Sequence, residues 1–417
     1  MVNFFLFFSF SLLFYIVFLR RRFFDFFTIF VLFFLYNYCV VTFDVVDFGG
    51  FSYTSLAIAV PFWLKLYILI FSLSLSILIL VYDFLVCKRF GRDRLNEESS
   101  SNGKEKVAVK FFLIPLVLLL IYLVLFNGGD LLGSKMDVKF QQGGVIALIA
   151  GFSQVVFFLS LRRNFIPGLL VSFFVVVIFL IIGSRANILF FILIFVLHSF
   201  NGKMVRVLSL KHSATIFTTG VVLSLLLSVK LFYKNIKSGE IGTVLTVLQS
   251  VDFSLLFDLL LVEPKAVVMN FITLVENVDY GGNVGYLFFA PIPFLSDLYR
   301  RAFSVDVINT STYLKDNFYL VDFGLASSIF GEVYAFFGAG GLFFFTVFVF
   351  VLLAVSSWMW IGCRNLYFLI HVPTLIILFS YMHRTALFNF LSSFKVPLLL
   401  CSLLAFWILL ARTTSQK

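Results

Sequence analysis

Long runs of apolar residues, separated by short polar breaks, dominate the pattern along the whole chain. A transmembrane helix needs about 20 apolar residues to cross the hydrocarbon core of a bilayer. Runs close to that length occur near residues 2–19, 23–43, 60–86, 109–126, 143–161, 166–183, 186–200, 213–232, 338–360, 366–382 and 391–411. The pattern therefore predicts an all-α, polytopic integral membrane protein with about eleven transmembrane helices.

The charges in the polar breaks alternate between two kinds of loop. The acidic kind, at 44–58 and 127–142, carries four aspartates against two lysines. The basic kind carries Arg20–Arg22, Lys88, Arg89, Arg92, Arg94, Lys104, Lys106, Lys110, Arg162, Arg163, Lys203, Arg206, Lys211, Arg364, Arg412 and Lys417. Because cytoplasmic loops are enriched in lysine and arginine, the N-terminus is predicted outside and the C-terminus inside. The first apolar run precedes its arginines, the reverse of a secretory signal, and is predicted to be a retained helix.

Two longer polar segments divide the predicted bundle. Residues 88–110 are rich in charge and serine, which is typical of a solvated cytoplasmic linker. Residues 233–337 are predicted to form a large external loop. This loop separates an N-terminal transmembrane bundle of about eight helices, residues 1–232, from a C-terminal bundle of about three, residues 338–417.

One stretch of the external loop, residues 243–275, is apolar but interrupted. Asp252 and Asp258 lie inside it, and Glu263 and Pro264 break it. The stretch is predicted to be a helix on the outer membrane surface. A twelfth span is the alternative.

Composition agrees with this class and narrows the chemistry. Hydrophobic residues make up 61% and charged residues 12% of 417 positions, against about 45–50% and about 25% in soluble domains. The four cysteines and four histidines are scattered singly, so neither a disulfide framework nor a zinc site is predicted. We expect no metal, no cofactor and no nucleic acid partner.

Arg185 stands alone between two apolar runs, in the sequence "IIGSRANIL". Gly183 permits a tight turn there, and Ser184 can cap the following helix. Arg185 is therefore predicted at the external end of a helical hairpin. Two interpretations remain open: a headgroup anchor that snorkels to phospholipid, and an anion site at a helix N-terminus.

Glu332 is a carboxylate in an otherwise apolar segment, "DFGLASSIFGEVYAFFGAGGLFF", that leads into the ninth predicted span. Ionisable residues at membrane depth cost about 2.5–3.5 kcal/mol on insertion scales, so they have partners. Glu332 is predicted either to cap a neighbouring loop or to act in a functional site.

Further cations fall on the predicted external side. Arg384, preceded by His383, closes the tenth predicted span, and Arg300 and Arg301 lie in the external loop. Arginines that converge outside, next to lipid, suit a phosphate or pyrophosphate whose tail stays in the bilayer.

In these segments the chain resembles the bacterial O-antigen polymerases, which join oligosaccharide repeat units. That family shows a G-S-R element and a later G-E-x-Y-x-x-F-G-x-x-G element. Here the first is Gly183–Arg185, and the second begins at Gly331-Glu332-Val333-Tyr334 and continues through Phe337, Gly338 and Gly341.

The resemblance implies a glycosyltransferase in the bacterial inner membrane, active at the periplasmic face in lipopolysaccharide biosynthesis. Its donor and acceptor would both be oligosaccharides linked to undecaprenyl pyrophosphate in the lipid bilayer. It also implies a partner protein that regulates chain length. The lipid pyrophosphate is itself the leaving group, so no nucleotide is expected.

Roles for the individual residues follow as hypotheses. Arg185, Arg300 and Arg384 are predicted to hold the donor pyrophosphate, with Arg301 sharing the role of Arg300. Glu332 is the candidate general base, a structural role is its alternative, and His383 is the second candidate. Tyr334 belongs to the motif and is counted among the substrate-binding candidates.

Two other functions use the same architecture. A lipid-linked oligosaccharide flippase or exporter would place charges along a central path, whereas this chain gathers them at one face. An O-antigen ligase would use the same donor with a different acceptor.

Overall fold

A computed structural model describes residues 2–47, 57–90, 102–127, 135–182, 184–200, 204–207, 253–278, 285–305, 310–314, 327–362 and 365–415. The first half contains α1 (Val2–Phe14), α2 (Phe26–Tyr38), α3 (Phe62–Phe90), α4 (Asn102–Asn127), α5 (Lys135–Arg163), α6 (Ile166–Ile182) and α7 (Arg185–Phe200). The second half contains α8 (Phe253–Asn277), α9 (Tyr286–Phe289), α10 (Leu295–Phe303), α11 (Thr310–Leu314), α12 (Ile329–Gly362), α13 (Leu366–Tyr381), α14 (Leu387–Ser392) and α15 (Lys395–Ser415). Four short strands, β1 (Arg22–Phe23), β2 (Val45–Asp47), β3 (Ala57–Ala59) and β4 (Met204–Val205), form two antiparallel pairs, β1 with β4 and β2 with β3.

The helices confirm an all-α membrane protein. Within the described residues, seven are long and apolar enough to cross a bilayer: Val2–Leu19, Phe62–Arg89, Glu105–Leu125, Gly144–Arg163, Ile329–Gly362, Leu366–Arg384 and Leu387–Ile408. Three shorter apolar helices occupy Phe26–Thr42, Ile166–Leu180 and Ala186–Phe200. The predicted span at 213–232 lies outside the described residues, so the count of eleven stays a prediction.

The bundle has two ends, which we name by a residue at each. At the Asp44 end, the Asp44 carboxylate accepts hydrogen bonds from Asn3 Nδ2 (3.0 Å) and Lys65 Nζ (2.7 Å). These bonds hold the pKa of the Asp44 carboxyl below its usual range, the bond from Lys65 most of all. At the Arg22 end, β1 pairs with β4 in the register Arg22 to Val205. α1 and α3 run between these two ends, since Asn3 and Lys65 lie with Asp44 while Asp83 lies with Arg22.

Both sides of the predicted cytoplasmic linker are helical. α3 continues to Phe90, with Lys88 and Arg89 in its last turn, and α4 already begins at Asn102. Cations are favourable at a helix C-terminus because they face its partial negative charge, so the basic residues extend α3 past its apolar part. Residues 91–101 lie outside the described part.

The external loop also contains helices, and α8 is the longest of those described. Residues 266–274 of α8 are all buried, in contact with α12 and α2. A helix on a membrane surface keeps one face in water, whereas protein covers every residue of 266–274; the place of residues 243–275 relative to the membrane stays a prediction. Protein encloses this half of α8, and it brings Glu276 to Trp63 at the Asp44 end, where Trp63 Nε1 donates to Glu276 Oε1 (3.3 Å).

α12 begins nine residues before the predicted ninth span and bends where that span was expected to start. Gly338 adopts φ 67° and ψ −166°, in a region essentially restricted to glycine. The bend separates a buried first segment, which contains Glu332, from a long apolar helix with exposed phenylalanines such as Phe344.

Candidate functional site at the Asp44 end

Three segments that carry predicted site residues meet near the Asp44 end. They are the start of α7, the first turns of α12, and the connection between α13 and α14, which holds a 3₁₀ turn at Met382–Arg384. α8 packs against α12 and contributes a fourth segment.

Glu332 links two of these segments. Its carboxylate accepts a hydrogen bond from Ser327 Oγ and another from the backbone N–H of Leu387, both at 2.6 Å. Leu387 is the first residue of α14, and the N-cap residue Ala386 offers no side-chain cap. Because the first N–H groups of a helix lack partners within it, Glu332 caps α14 across the fold.

The Glu332 side chain is enclosed, with 1% of the residue exposed. A general base must come within about 2.6–3.2 Å of the proton that it accepts. The capping role that the sequence left open is thus the one visible in the hydrogen bonds. Proton transfer to Glu332 stays a prediction.

Arg384 lies three residues before Leu387, the residue that Glu332 anchors. Its guanidinium forms an ion pair with Glu263 of α8 and lies over the ring of Tyr381, 4.6 Å from the centroid. The side chain is 22% exposed, and that of Glu263 is 43% exposed. Among the predicted arginines whose side chains are described, Arg384 is the one that packs on an aromatic ring and is also partly exposed.

The side chain of His383, unlike that of Arg384, points into the protein interior. It is fully buried, and the rings of Phe30, Phe34, Tyr38 and Phe330 surround it at centroid distances of 4.8–6.0 Å. An aromatic enclosure of this kind keeps the imidazole away from a polar substrate, so His383 packs the core beneath Arg384.

Arg185 occupies the first position of α7, and its side chain is outside the described part. Ser184 Oγ accepts a hydrogen bond from Asn187 Nδ2 (3.0 Å), and Ser184 N–H donates to Phe179 O (2.8 Å), which closes the turn from α6 to α7. Phe190, one turn further, packs edge to face on Tyr381 with centroids 5.8 Å apart. The N-terminal turn of α7 therefore lies beside the segment that carries Arg384.

Arg300 and Arg301 lie near the last turn of α10. Arg300 Nε donates to Val305 O (3.3 Å), and its Nη1 is 3.7 Å from Asp297 Oδ1, so this arginine closes its own helix. Arg301 is exposed. The described contacts do not join either arginine to Arg384.

α10 nevertheless adjoins the same region. Lys395 Nζ, at the start of α15, donates to Ser296 Oγ (2.9 Å) and lies over the ring of Phe388 at 5.6 Å. Tyr286 of α9 contacts Phe388 with centroids 5.8 Å apart. Tyr334, in the motif of α12, is half-buried.

Sequence reasoning missed Glu263 and Lys395. Glu263 was noted only as a break in an apolar run, and it is separated from Arg384 by 121 positions. The clue available was a carboxylate directly before Pro264 in an apolar stretch, a place where an ionisable group needs a partner.

Two groups of charges elsewhere in the described residues also have partners. Arg22, which is buried, donates to Asp83 (3.2–3.3 Å) and to Asp25 (3.1 Å) at the Arg22 end. Lys65 pairs with Asp44 at the opposite end. These charges form two separate clusters rather than a continuous path through the bundle.

Metal-ligating side chains do not gather in the part of the chain that the structure describes: it contains no group of three or more His, Cys, Asp or Glu residues suited to a metal ion. Metal independence stays a prediction.

In the comparisons with known proteins, no family model, curated protein or solved structure matches the chain.

Proposed function

We propose that the chain is a membrane glycosyltransferase that polymerises oligosaccharide repeat units carried on undecaprenyl pyrophosphate, at the periplasmic face of a bacterial inner membrane. The observation that carries the proposal is the junction at the Asp44 end. There Glu332 bonds the start of α14, and Tyr381 joins Arg384 to the first turns of α7. The two elements that carry the family resemblance thus adjoin the same cation.

The reaction needs a cation next to lipid. A hydroxyl oxygen of the acceptor sugar attacks the anomeric carbon of the donor sugar, and the bond from that carbon to the pyrophosphate oxygen breaks. The lipid pyrophosphate leaves with the electron pair, and the hydroxyl proton passes to a base. Arg384 donates hydrogen bonds to the leaving phosphates as their charge develops, which a planar guanidinium does well.

The remaining predicted residues take supporting roles in this proposal. Glu332 positions Arg384 by fixing the chain between α13 and α14, and remains the candidate base of the motif. Arg185 adds a second cation from the N-terminus of α7, where the helix dipole also favours an anion. Arg300 and Arg301 line the approach from α10, and a chain-length regulator would act on the assembled enzyme.

The internal pairing of the charges at Arg22 and Lys65 supports an enzyme over a flippase or exporter. A transport path requires charges that meet the cargo at successive depths, whereas these are neutralised by their own neighbours. A ligase would share the donor site, so only the acceptor distinguishes it.

Deletion of the gene separates these functions. Loss of a polymerase leaves lipopolysaccharide with core plus a single repeat unit, whereas loss of a ligase or flippase leaves core alone. We expect the single repeat on a gel, and restoration of the ladder by the wild-type chain. Core alone in the deletion strain would refute polymerisation.

Variants of Arg384 test the site in the same strain. We expect Arg384→Ala and Arg384→Lys to reduce turnover about 10- to 100-fold, because a charge-assisted hydrogen bond contributes about 1.5–3 kcal/mol. The matched control is Arg89→Ala, since Arg89 also lies over an aromatic ring, that of Trp358 at 4.9 Å, but at the Arg22 end. Membrane levels of each variant are checked by immunoblot. Full ladders from both Arg384 variants would remove Arg384 from the site.

A further inference from the structure

We propose that Glu263 is the resident counter-ion of Arg384, and that a phosphate of the donor lipid displaces its carboxylate when the donor binds. The inference rests on the proposed function and adds a residue outside both motifs to its site. Glu263 then acts through Arg384, as a positioning residue that sets how readily the cation accepts its ligand.

The guanidinium keeps donor capacity beyond its bond to Glu263. Its Nη1 donates to Glu263 Oε2, and 22% of the side chain is exposed and so reachable from outside; the buried Nε has no hydrogen-bond partner among the described residues. The ring of Tyr381 packs against the guanidinium, with Cζ 4.6 Å from the ring centroid. A phosphate offers several oxygens in a geometry that matches two donors of one guanidinium, which a single carboxylate oxygen does not use.

Glu263 is placed where its carboxylate can move away. It directly precedes Pro264, which lacks an N–H and opens the backbone ladder of α8 at that turn. The following half of α8 is enclosed by protein, but the Glu263 side chain is 43% exposed. An ion pair with this much access to solvent is weak enough to exchange for a better anion.

A purely structural tie between α8 and the 3₁₀ turn is the competing explanation. The two explanations predict opposite changes in ligand affinity when Glu263 is removed. If Glu263 only holds Arg384 in place, its removal weakens binding of an anionic ligand. If Glu263 competes with the ligand, its removal strengthens that binding.

The experiment measures binding of farnesyl pyrophosphate, a short isoprenoid pyrophosphate, to the full-length chain in phosphatidylcholine nanodiscs by calorimetry. We expect Glu263→Gln to bind it about two- to fivefold more tightly than wild type, the size of change that a partly exposed ion pair allows. Arg384→Gln should bind weakly, and the double variant should match Arg384→Gln, because the carboxylate acts only through the arginine.

The matched control is Glu276→Gln on the same helix. Glu276 lies 13 residues from Glu263, about 20 Å along a helix, and bonds Trp63 instead. We expect Glu276→Gln to bind farnesyl pyrophosphate with the affinity of wild type. If Glu263→Gln does not fold, Glu263→Asp retains the charge on a shorter side chain and should still bind more tightly than wild type.

Equal or weaker binding by the folded Glu263 variant, with wild type binding normally, overturns the counter-ion inference alone. A wild-type chain that does not bind farnesyl pyrophosphate overturns the proposed function and this inference with it. Addition of phosphatidylglycerol to the nanodiscs shows whether a lipid headgroup or the donor phosphate displaces Glu263. If its phosphates abolish the difference between Glu263→Gln and wild type, a headgroup rather than the donor displaces Glu263.

Discussion

Arg22 is enclosed by protein although it belongs to a run of three arginines that sequence places in the cytoplasm. Its guanidinium donates to Asp83, to Asp25 and to Thr28 Oγ1, so it is the buried cation that pairs with both carboxylates. The side chains of Arg22, Asp25 and Asp83 are 2%, 0% and 4% exposed. This cluster joins β1, which contains Arg22, to the start of α2 and to α3.

Removal of Arg22 should therefore destabilise the fold much more than loss of a surface charge. We expect Arg22→Leu to lower the free energy of unfolding by about 3–5 kcal/mol, since two carboxylates are left buried without their cation. Thermal unfolding in detergent, followed by intrinsic fluorescence, measures the change. Addition of Asp83→Asn to that variant should recover part of the loss, because one uncompensated charge is then removed.

Arg21→Leu is the matched control, since Arg21 is adjacent to Arg22 in sequence but is exposed. We expect its unfolding temperature to stay close to that of wild type. Equal melting of the Arg22 and Arg21 variants would show that the buried cluster contributes nothing to stability.

Sequence could identify these residues only in part. In the sequence, Asp25 and Asp83 are single charges within apolar runs, whereas Arg22 resembles its neighbours Arg20 and Arg21. Its partner Asp83 is 61 positions away, and no local pattern encodes that contact. Glu263 and Arg384 were missed as a pair for the same reason.

At the scale of helices, Gly331 and Gly338 of the motif in α12 are each required to be glycine for a different physical reason. A Cβ at Gly331 would lie 3.1 Å from Phe271 Cα and 3.0 Å from Leu274 Cδ1, so Gly331 permits α12 to approach α8 closely. Gly338 makes the bend with its positive φ. The motif therefore shapes the segment that presents Glu332, apart from any role in chemistry.

A substitution at Gly331 should separate the two helices. We expect Gly331→Ala to destabilise the chain by about 1–3 kcal/mol, because backbone of α8 must move to admit the methyl group. Activity in the lipopolysaccharide assay should fall with it, since Glu332 is the next residue.

Gly340 offers a control on the same helix. A Cβ there meets nothing within 4 Å, and alanine is the better helix former, so Gly340→Ala should be neutral or slightly stabilising. Melting curves of the two variants decide the matter. If Gly331→Ala melts like Gly340→Ala, the close approach is not what requires glycine.

Helix type was the most predictable feature and helix limits the least. Within the described residues, apolar runs located the long helices correctly, because length and composition suffice for a membrane span. Segments such as α14, six residues long, and the first part of α12 were assigned to loops or joined to spans. Their helical state depends on contacts from elsewhere, such as the cap that Glu332 gives to α14.

At the scale of the whole molecule, several independent contacts agree on which elements share an end. Phe200, at the end of α7, stacks on Phe24 with centroids 4.6 Å apart at the Arg22 end. The start of α7 must then lie towards the Asp44 end, as the contact between Phe190 and Tyr381 also requires. For α1, α2, α3 and α7 the contacts reverse the end at each crossing, as loop charge predicts, whereas α8 keeps both Glu263 and Glu276 towards the Asp44 end.

The direction of the bundle in its membrane remains a prediction from loop charge, and cysteine labelling tests it. In a background with all four cysteines replaced, we introduce Asp297→Cys near the Asp44 end and Arg206→Cys next to β4 at the Arg22 end; both positions are exposed. A membrane-impermeant maleimide should label Asp297→Cys in cells with a permeabilised outer membrane, and Arg206→Cys only after lysis. The reverse pattern would place Arg384 in the cytoplasm. The cation would then face away from the compartment in which a polymerase meets its donor, so this result would refute the proposed function together with the predicted orientation.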